Sequence, residues 1–297
     1  MIITSTSLAA LRVGFQTSFQ GGLAQAKPQW ESVATRVPST TKEERYGWLG
    51  KLPSMREWVG DRHITSISES DYTIRNKSFE MTIGVGRDDI EDDNIGVYAP
   101  LFEEMGRSVS AQPDEIVFAL LKAGFATNCY DGQYFFDTDH PVLNADGAAT
   151  SVANTDGGAG TAWFLLCTNR ALKPLIFQER RKPQFVSKDR PDDDNVFDRK
   201  EYRYGVDSRS NAGFGFWQMA WGSKQTLDAT HYEAARAGLS GMKGDFGRPL
   251  GLMPNLLVVP PSLEGAGRGL LQSQLVNGGE TNKWAGTAEL LVVPWLA

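Results

Sequence analysis

Cysteine is nearly absent from this chain: Cys129 and Cys167 are the only two among 297 residues. Two thiols cannot supply a disulfide framework, so the fold rests on an ordinary core and the expected setting is a reducing cytoplasm. Histidine is almost as scarce, with three residues, which leaves little material for a His-based acid–base or metal centre. No apolar run reaches the roughly 20 residues that a membrane helix needs. The opening MIITSTSLAALRVGFQ lacks the basic start and cleavage pattern of a secretory signal. An excess of positive charge is missing too. The net charge of −6 argues against a surface that grips phosphates throughout. Nucleotide and nucleophile signatures are also lacking. There is no G-x-x-x-x-G-K-[ST] loop, Gly84-Val85-Gly86 has no third glycine and no helix placed behind it, and no G-x-S-x-G elbow occurs.

What is present is a folding composition. Hydrophobic residues make up 41% and charged residues 22%, which excludes wholesale disorder, and the length allows one large domain or two. Leu8, Leu11, Val13 and Phe15 predict a short amphipathic helix that gives out at Gly21–Gly22. A segment like 1–45 has too little apolar surface to fold alone, so it is expected to bury against its own domain or a neighbour. Phe79, Met81, Ile83 and Val85 alternate with other residues at period two, as do Tyr72 and Ile74. With Asn76–Lys77 as the turn, residues 64–85 read as a long hairpin. A lone hairpin is marginal in water, so this one joins a sheet or lies across another subunit, with Tyr46, Trp48 and Trp58 nearby as anchors.

The spacing of Val97, Leu101, Met105 and Val109, widened by Phe102, predicts a helix over 96–125. Pro113 marks a break or a fresh start, followed by Asp114 and Glu115 at the positive end of a dipole. The stretch 145–160, ADGAATSVANTDGGAG, reads as a mobile linker. Strand-like segments follow at 162–167, 174–187, 196–206 and 213–221. Helices are expected near 229–239 after Thr226, and after Ser262. The apolar runs LLVVP at 256–260 and ELLVVP at 289–294 read as central strands of a covered sheet.

Few residues invite chemistry. Asp137, Asp139 and His140, in FDTDHP at 136–141, could hold a metal or act as an acid–base pair, which makes a metal-dependent hydrolase the enzymatic alternative. The same residues also suit a tight turn with aspartates capping backbone amides, and that reading is preferred. The run DDIEDD at 88–93 lacks the alternating spacing of a calcium loop and reads as a solvated face. Cys129 and Cys167 have no CxxC or histidine arrangement beside them and read as buried structural thiols. The basic cluster ERRKP at 179–183 is flanked by Asp189, Asp192, Asp193 and Asp194. Its charges cancel locally, which suits pairing between subunits better than phosphate tracking. Trp48, Trp58, Tyr72, Arg75, Lys77, Arg180, Arg181 and Asp192 are the resulting candidates for subunit contact. No catalytic residue, cofactor or metal is assigned.

Four stretches carry a resemblance that covers essentially the whole chain: YGWLGKLP at 46–53, PLFEEMGRSVSAQPDEIVFALLKAGFATNCYDGQYFFDTDHP at 100–141, GFGFWQMAWGS at 213–223 and VVPWLA at the end. Rich in Trp, Phe and Gly, they resemble the major head subunit of Mu-like bacteriophages and prophages. The resemblance implies an α+β chain with the Hong Kong-ninety-seven-type capsid fold. Its parts would be an N-terminal arm at 1–45, an extended loop at 46–93, a peripheral domain with a spine helix and long sheet at 94–225, and an axial domain at 226–297. It implies self-assembly into hexamers and pentamers of an icosahedral head around double-stranded DNA, in the bacterial cytoplasm, without sequence-specific DNA contact. A scaffold and maturation protease, a portal and a decoration protein are the implied partners. A ring-forming tail or connector protein is the other structural alternative. Asn76 and Lys77 are the residue types of the isopeptide links in some related capsids, although adjacency alone does not indicate that chemistry.

Overall fold

The structure, a computed structural model, describes residues 2–47, 49, 72–276 and 278–297. In chain order its helices are α1 (Ser5–Gln25), α2 (Arg87–Glu91), α3 (Ala99–Lys122), α4 (Asp194–Arg199), α5 (Ala229–Ser240) and α6 (Glu264–Leu271). The strands are β1 (Ala34–Pro38), β2 (Glu43–Arg45), β3 (Thr73–Arg75), β4 (Lys77–Gly86), β5 (His140–Leu143), β6 (Ala149–Val152), β7 (Thr155–Gly158), β8 (Trp163–Leu166), β9 (Leu175–Lys188), β10 (Glu201–Phe214), β11 (Ala220–Lys224), β12 (Lys243–Gly244), β13 (Arg248–Pro249), β14 (Leu256–Val259), β15 (Leu275–Val276), β16 (Glu280–Thr281) and β17 (Glu289–Val292).

Helix α1 begins in a capping box. The Thr4 hydroxyl accepts from the Ser7 amide at 3.1 Å, and the Ser7 hydroxyl accepts from the Thr4 amide at 2.9 Å. It does not end at Gly21–Gly22 as expected, and the reason lies across the groove. A Cβ on Gly22 would sit 1.8 Å from the Glu103 carbonyl oxygen, and one on Gly106 would sit 2.1 Å from that of Phe19. These glycines let α1 and α3 touch backbone to backbone, and the packing outweighs their poor helix propensity. Phe15 stacks on Phe102 at 4.3 Å between ring centroids and meets Tyr204 edge-on at 5.1 Å. The arm helix is therefore packed on its own chain.

Helix α3 runs unbroken through Pro113, where a break or restart was expected. Asp114 turns inward instead of serving a helix start. Its carboxylate accepts from the amides of Gln29 at 2.9 Å and Trp30 at 2.6 Å, tying the segment after α1 to the helix. Burial raises its carboxyl above the usual range, against the pull of those two amides.

Strands order β1-β9-β10-β4 in a four-stranded sheet, with β1 parallel to β9 and β10 antiparallel to both its neighbours. The expected hairpin over 64–85 does not form in its described part. Strand β3 pairs with β2, whereas β4 pairs with β10 over ten residues. Asn76 is no exposed turn. It is 8% exposed, its side-chain amide donates to Ser39 Oγ at 2.9 Å and accepts from Gln178 Nε2 at 2.8 Å, and its backbone amide donates to the Lys42 carbonyl.

A second sheet orders β17-β14-β8-β11-β7. Its strands β8 and β14 are buried throughout, whereas β17, also expected to be central, lies at an edge and is only half-buried. The sheet takes strands from both sides of residue 226, so no single cut in sequence separates it from the first sheet. The stretch 145–160 is not a bare linker, because it contributes β6 and β7. Asn154 anchors it with no exposed surface, donating to the carbonyls of Phe135 at 2.8 Å and Trp217 at 3.3 Å. Helix α4 replaces the first part of the strand expected over 196–206. Helix α5 is capped by Asp228, which accepts from the His231 amide at 2.9 Å, and α6 follows Leu263. Among the described residues no helix is long and apolar enough to cross a membrane.

Candidate functional site

The candidate contact residues fall into two groups on the four-stranded sheet. Lys77 faces Ser210 across the β4–β10 ladder, and Arg181 faces Arg209 across the β9–β10 ladder. These pairings place Lys77, Arg180, Arg181 and Lys182 at about one level midway along the β9–β10 ladder, beside Glu179, with Arg75 just before β4 in β3 and opposite Glu43; all five cations are exposed. Arg181 pairs with Asp207. At one end of the sheet Gly86 faces Glu201, Lys188 faces Arg203, and α4 caps the β9–β10 hairpin. Asp192 is exposed there. The basic and acidic runs around residues 179–194 therefore do not cancel locally, because six strand residues, about 20 Å, separate Lys182 from Lys188. Tyr72 is half-buried, and its hydroxyl accepts from the Phe214 amide at 2.7 Å. Burial pushes that hydroxyl up to about 12. Trp48 and Trp58 lie outside the described residues.

A turn at residues 39–44 braces the edge of this region. The Glu44 carboxylate accepts from the amides of Thr40 at 2.8 Å and Thr41 at 3.1 Å and from the Ser39 hydroxyl at 2.9 Å. These bonds hold its carboxyl down at about 2. A carboxyl held below its unfolded value of about 4.3 stabilises the fold above that pH, and the gain is lost as pH falls toward the folded value. Glu44→Gln is expected to flatten this acid dependence, read as a smaller drop in melting temperature between about pH 5 and pH 2.

Asp137, Asp139 and His140 do not form one site: the two carboxyls meet each other, and His140 faces Asp131. Asp137 accepts from the amides of Tyr134 at 3.2 Å and Thr138 at 2.7 Å, making the tight turn. Asp139 points to solvent, its carboxyl raised by a hydrogen bond with Asp137. His140 is fully buried. Its ring stacks on Trp217 with centroids 3.8 Å apart and planes 7° apart, and its Nδ1 lies 2.7 Å from Asp131 Oδ2. The same aspartate accepts from Cys129 Sγ at 3.0 Å. Cys129 thus does have a histidine nearby, contrary to expectation: the ligating atoms of Cys129, Asp131 and His140 lie within 4.8 Å of one another. Two hydrogen bonds tie this cluster together, His140 Nε2 being buried with no hydrogen-bond partner among the described residues, burial raises the thiol, and the Asp131 side chain is 10% exposed. The arrangement is suited to fastening a loop, not to activating water. In sequence only a C-x-D with a histidine nine residues on hinted at it.

The mixed sheets, the long helix α3 and the packed arm helix match a known family. The model of the Mu-like prophage major head subunit gpT matches residues 8–296. The major capsid protein of Escherichia phage Mu is 46% identical over 305 residues, covering 100% of both chains. The subunit in the procapsid of bacteriophage JBD30 superposes with a TM-score of 0.87 at 49% identity, over 99% of this chain and 100% of that one. The subunit of the JBD30 capsid decorated with minor capsid protein trimers does so at 0.78 and 36% identity, over 100% of both. These likenesses run end to end and include the helices and both sheets. The fold is the α+β phage capsid fold, and the chain belongs to the family of Mu-like prophage major head subunits.

Proposed function

We propose that this head subunit assembles through hexamers and pentamers into an icosahedral shell that encloses double-stranded DNA. The observation that carries the reading is the end-to-end likeness to the JBD30 procapsid subunit. In this reading the peripheral domain is the four-stranded sheet with α1 and α3, the latter being the spine helix. The axial domain is the five-stranded sheet with α5 and α6. The peripheral elements all precede the boundary expected at 225–226, whereas the five-stranded sheet draws on both sides of it. Trp48, Trp58, Tyr72, Arg75, Lys77, Arg180, Arg181 and Asp192 supply subunit contacts, assembly takes place in the host cytoplasm, and the acidic chain leaves the packaged DNA unclamped. A scaffold, a maturation protease and a portal act on the shell. Minor capsid protein trimers of the kind seen on JBD30 fit the role of a decoration partner.

The enzymatic alternative fails on geometry, since Asp137 and Asp139 meet each other toward the surface while the buried His140 turns away to Asp131. Shell subunits need many modest contacts repeated by symmetry instead of one pocket. Overproduced chain is expected to give capsomers or closed particles by size-exclusion chromatography and negative-stain electron microscopy. Fixed rings would favour the tail or connector reading. A monomer at every concentration and salt would overturn assembly altogether.

A further inference from the structure

The fold gathers acidic runs that lie far apart in sequence. The backbone amide of Arg87, which opens α2, donates to the Lys200 carbonyl just after α4 at 2.8 Å, and Lys200 Nζ lies 3.9 Å from Asp88. Segments 86–94 and 188–203 together hold eleven carboxylates against six cationic side chains. This end of the sheet therefore holds most of the chain's excess negative charge. Phe197 projects from α4 in its midst with 88% of its surface exposed. A phenyl ring so placed adds nothing to the folded monomer and offers contact area to a partner.

Midway along β9 and β10, where β4 begins, the sheet carries the complementary sign. Lys77, Arg180, Arg181 and Lys182 lie at about one level there with Arg75 just before β4, the acids among them being Glu179 and, opposite Arg75, Glu43, and Arg181 directly opposes Arg209. A like-charged cross-strand pair is unfavourable unless anions approach it. Asp207 meets part of that need through Arg181, while the buried Nε of Arg209 has no hydrogen-bond partner among the described residues. Arg180 and Lys182 form no ion pair among the described residues. Strand β4 alone spans nine steps between the two patches, about 30 Å, so they cannot meet within one copy.

Resting on the shell reading above, we propose that neighbouring copies meet head to tail, the acidic pole with Phe197 of one seated on the basic band of the next. Two different patches on one chain make a heterologous contact, which closes into rings when the rotation allows. Charge complementarity at such a contact sets register and speeds encounter.

The test is a charge swap in the full chain. Asp192→Lys with Asp198→Lys inverts two charges of the pole, and Arg180→Glu with Lys182→Glu inverts two charges of the band. All four residues are exposed, so melting temperature is expected to stay near that of the parent. Each reversal should raise the concentration needed for particles about tenfold or more, and the chain carrying all four substitutions should recover to within about threefold of the parent. Phe197→Ser should weaken assembly without lowering the melting temperature. Singly reversed chains that assemble like the parent, or a fourfold variant no better than either reversal, would overturn the inference. Failure of the unaltered chain to assemble would instead sink the shell reading beneath it.

Discussion

Gly22→Ala and Gly106→Ala are each expected to unseat α1 from α3, at a cost of about 2–3 kcal/mol. The usual sign of a glycine-to-alanine change in a helix is the reverse, since alanine gains up to about 1 kcal/mol in propensity. Here the added methyl has nowhere to go. It would meet the Glu103 carbonyl at 1.8 Å from Gly22, and the Phe19 carbonyl at 2.1 Å and the Leu23 amide at 2.7 Å from Gly106. These are backbone atoms of the facing helix and cannot rotate away as a side chain would. The helices must part, and parting them loosens the cluster of Phe15, Phe19, Phe102 and Tyr204. Gly21→Ala supplies the internal control, because a methyl there meets nothing within 4 Å. It should leave stability unchanged or raise it. Thermal melting with limited proteolysis in α1 reads both effects. Equal outcomes at positions 21 and 22 would mean that the two helices do not cross as described.

The same glycines show where sequence periodicity stopped being informative. The repeat of apolar residues correctly located α3, yet it drew the stripe through Val97 and Leu101, which are 56% and 52% exposed. The buried face keeps Met105 and Phe102 of that stripe and runs on through Gly106, Val117, Phe118 and Leu121. Hydrophobicity gives glycine no weight, whereas a close helix crossing gives it the greatest. Alternation likewise located β4 but not its partner, since a period of two states which residues share a face and nothing about which strand lies alongside. The tip of the expected hairpin failed for a related reason. Asn76 has the residue type of a turn, but a buried hydrogen-bond network uses its amide. In Asn154 the same chemistry makes a small, polar, glycine-rich stretch part of a sheet. The resemblance supplied the fold and the family, which no local pattern could. It did not show the separation of charge along the β9–β10 hairpin, because that depends on the sheet register and on α2 docking beside α4.

His140→Ala should cause the other large loss, about 3–5 kcal/mol, because it strands a buried carboxylate as well as opening a cavity. The ring lies flat on Trp217, and its Nδ1 faces Asp131, whose side chain is 10% exposed. Burial by itself would raise the Asp131 carboxyl. Hydrogen bonds from His140 and Cys129 outweigh that and hold it below the ordinary carboxylate range. A carboxyl held down in the folded state adds stability above its unfolded value of about 3.9, and that stability is lost as pH falls through the folded value. With His140 gone, burial acts with less opposition, so the variant should be weaker at neutral pH and less sensitive to acid. Asp131→Asn keeps an acceptor for the imidazole and should lose less, about 1–3 kcal/mol. The damage should also be local. Cys129, Asp131 and His140 fasten the chain that follows α3 to Trp217, beside the five-stranded sheet, while α1 with the first halves of α3 and β10 forms a separate cluster. Hydrogen exchange in His140→Ala should therefore quicken across residues 127–143 and 216–222 before it does in β4 or in β10 residues 201–206. Uniform loss of protection would mean that the cluster supports the whole molecule instead of one joint in it.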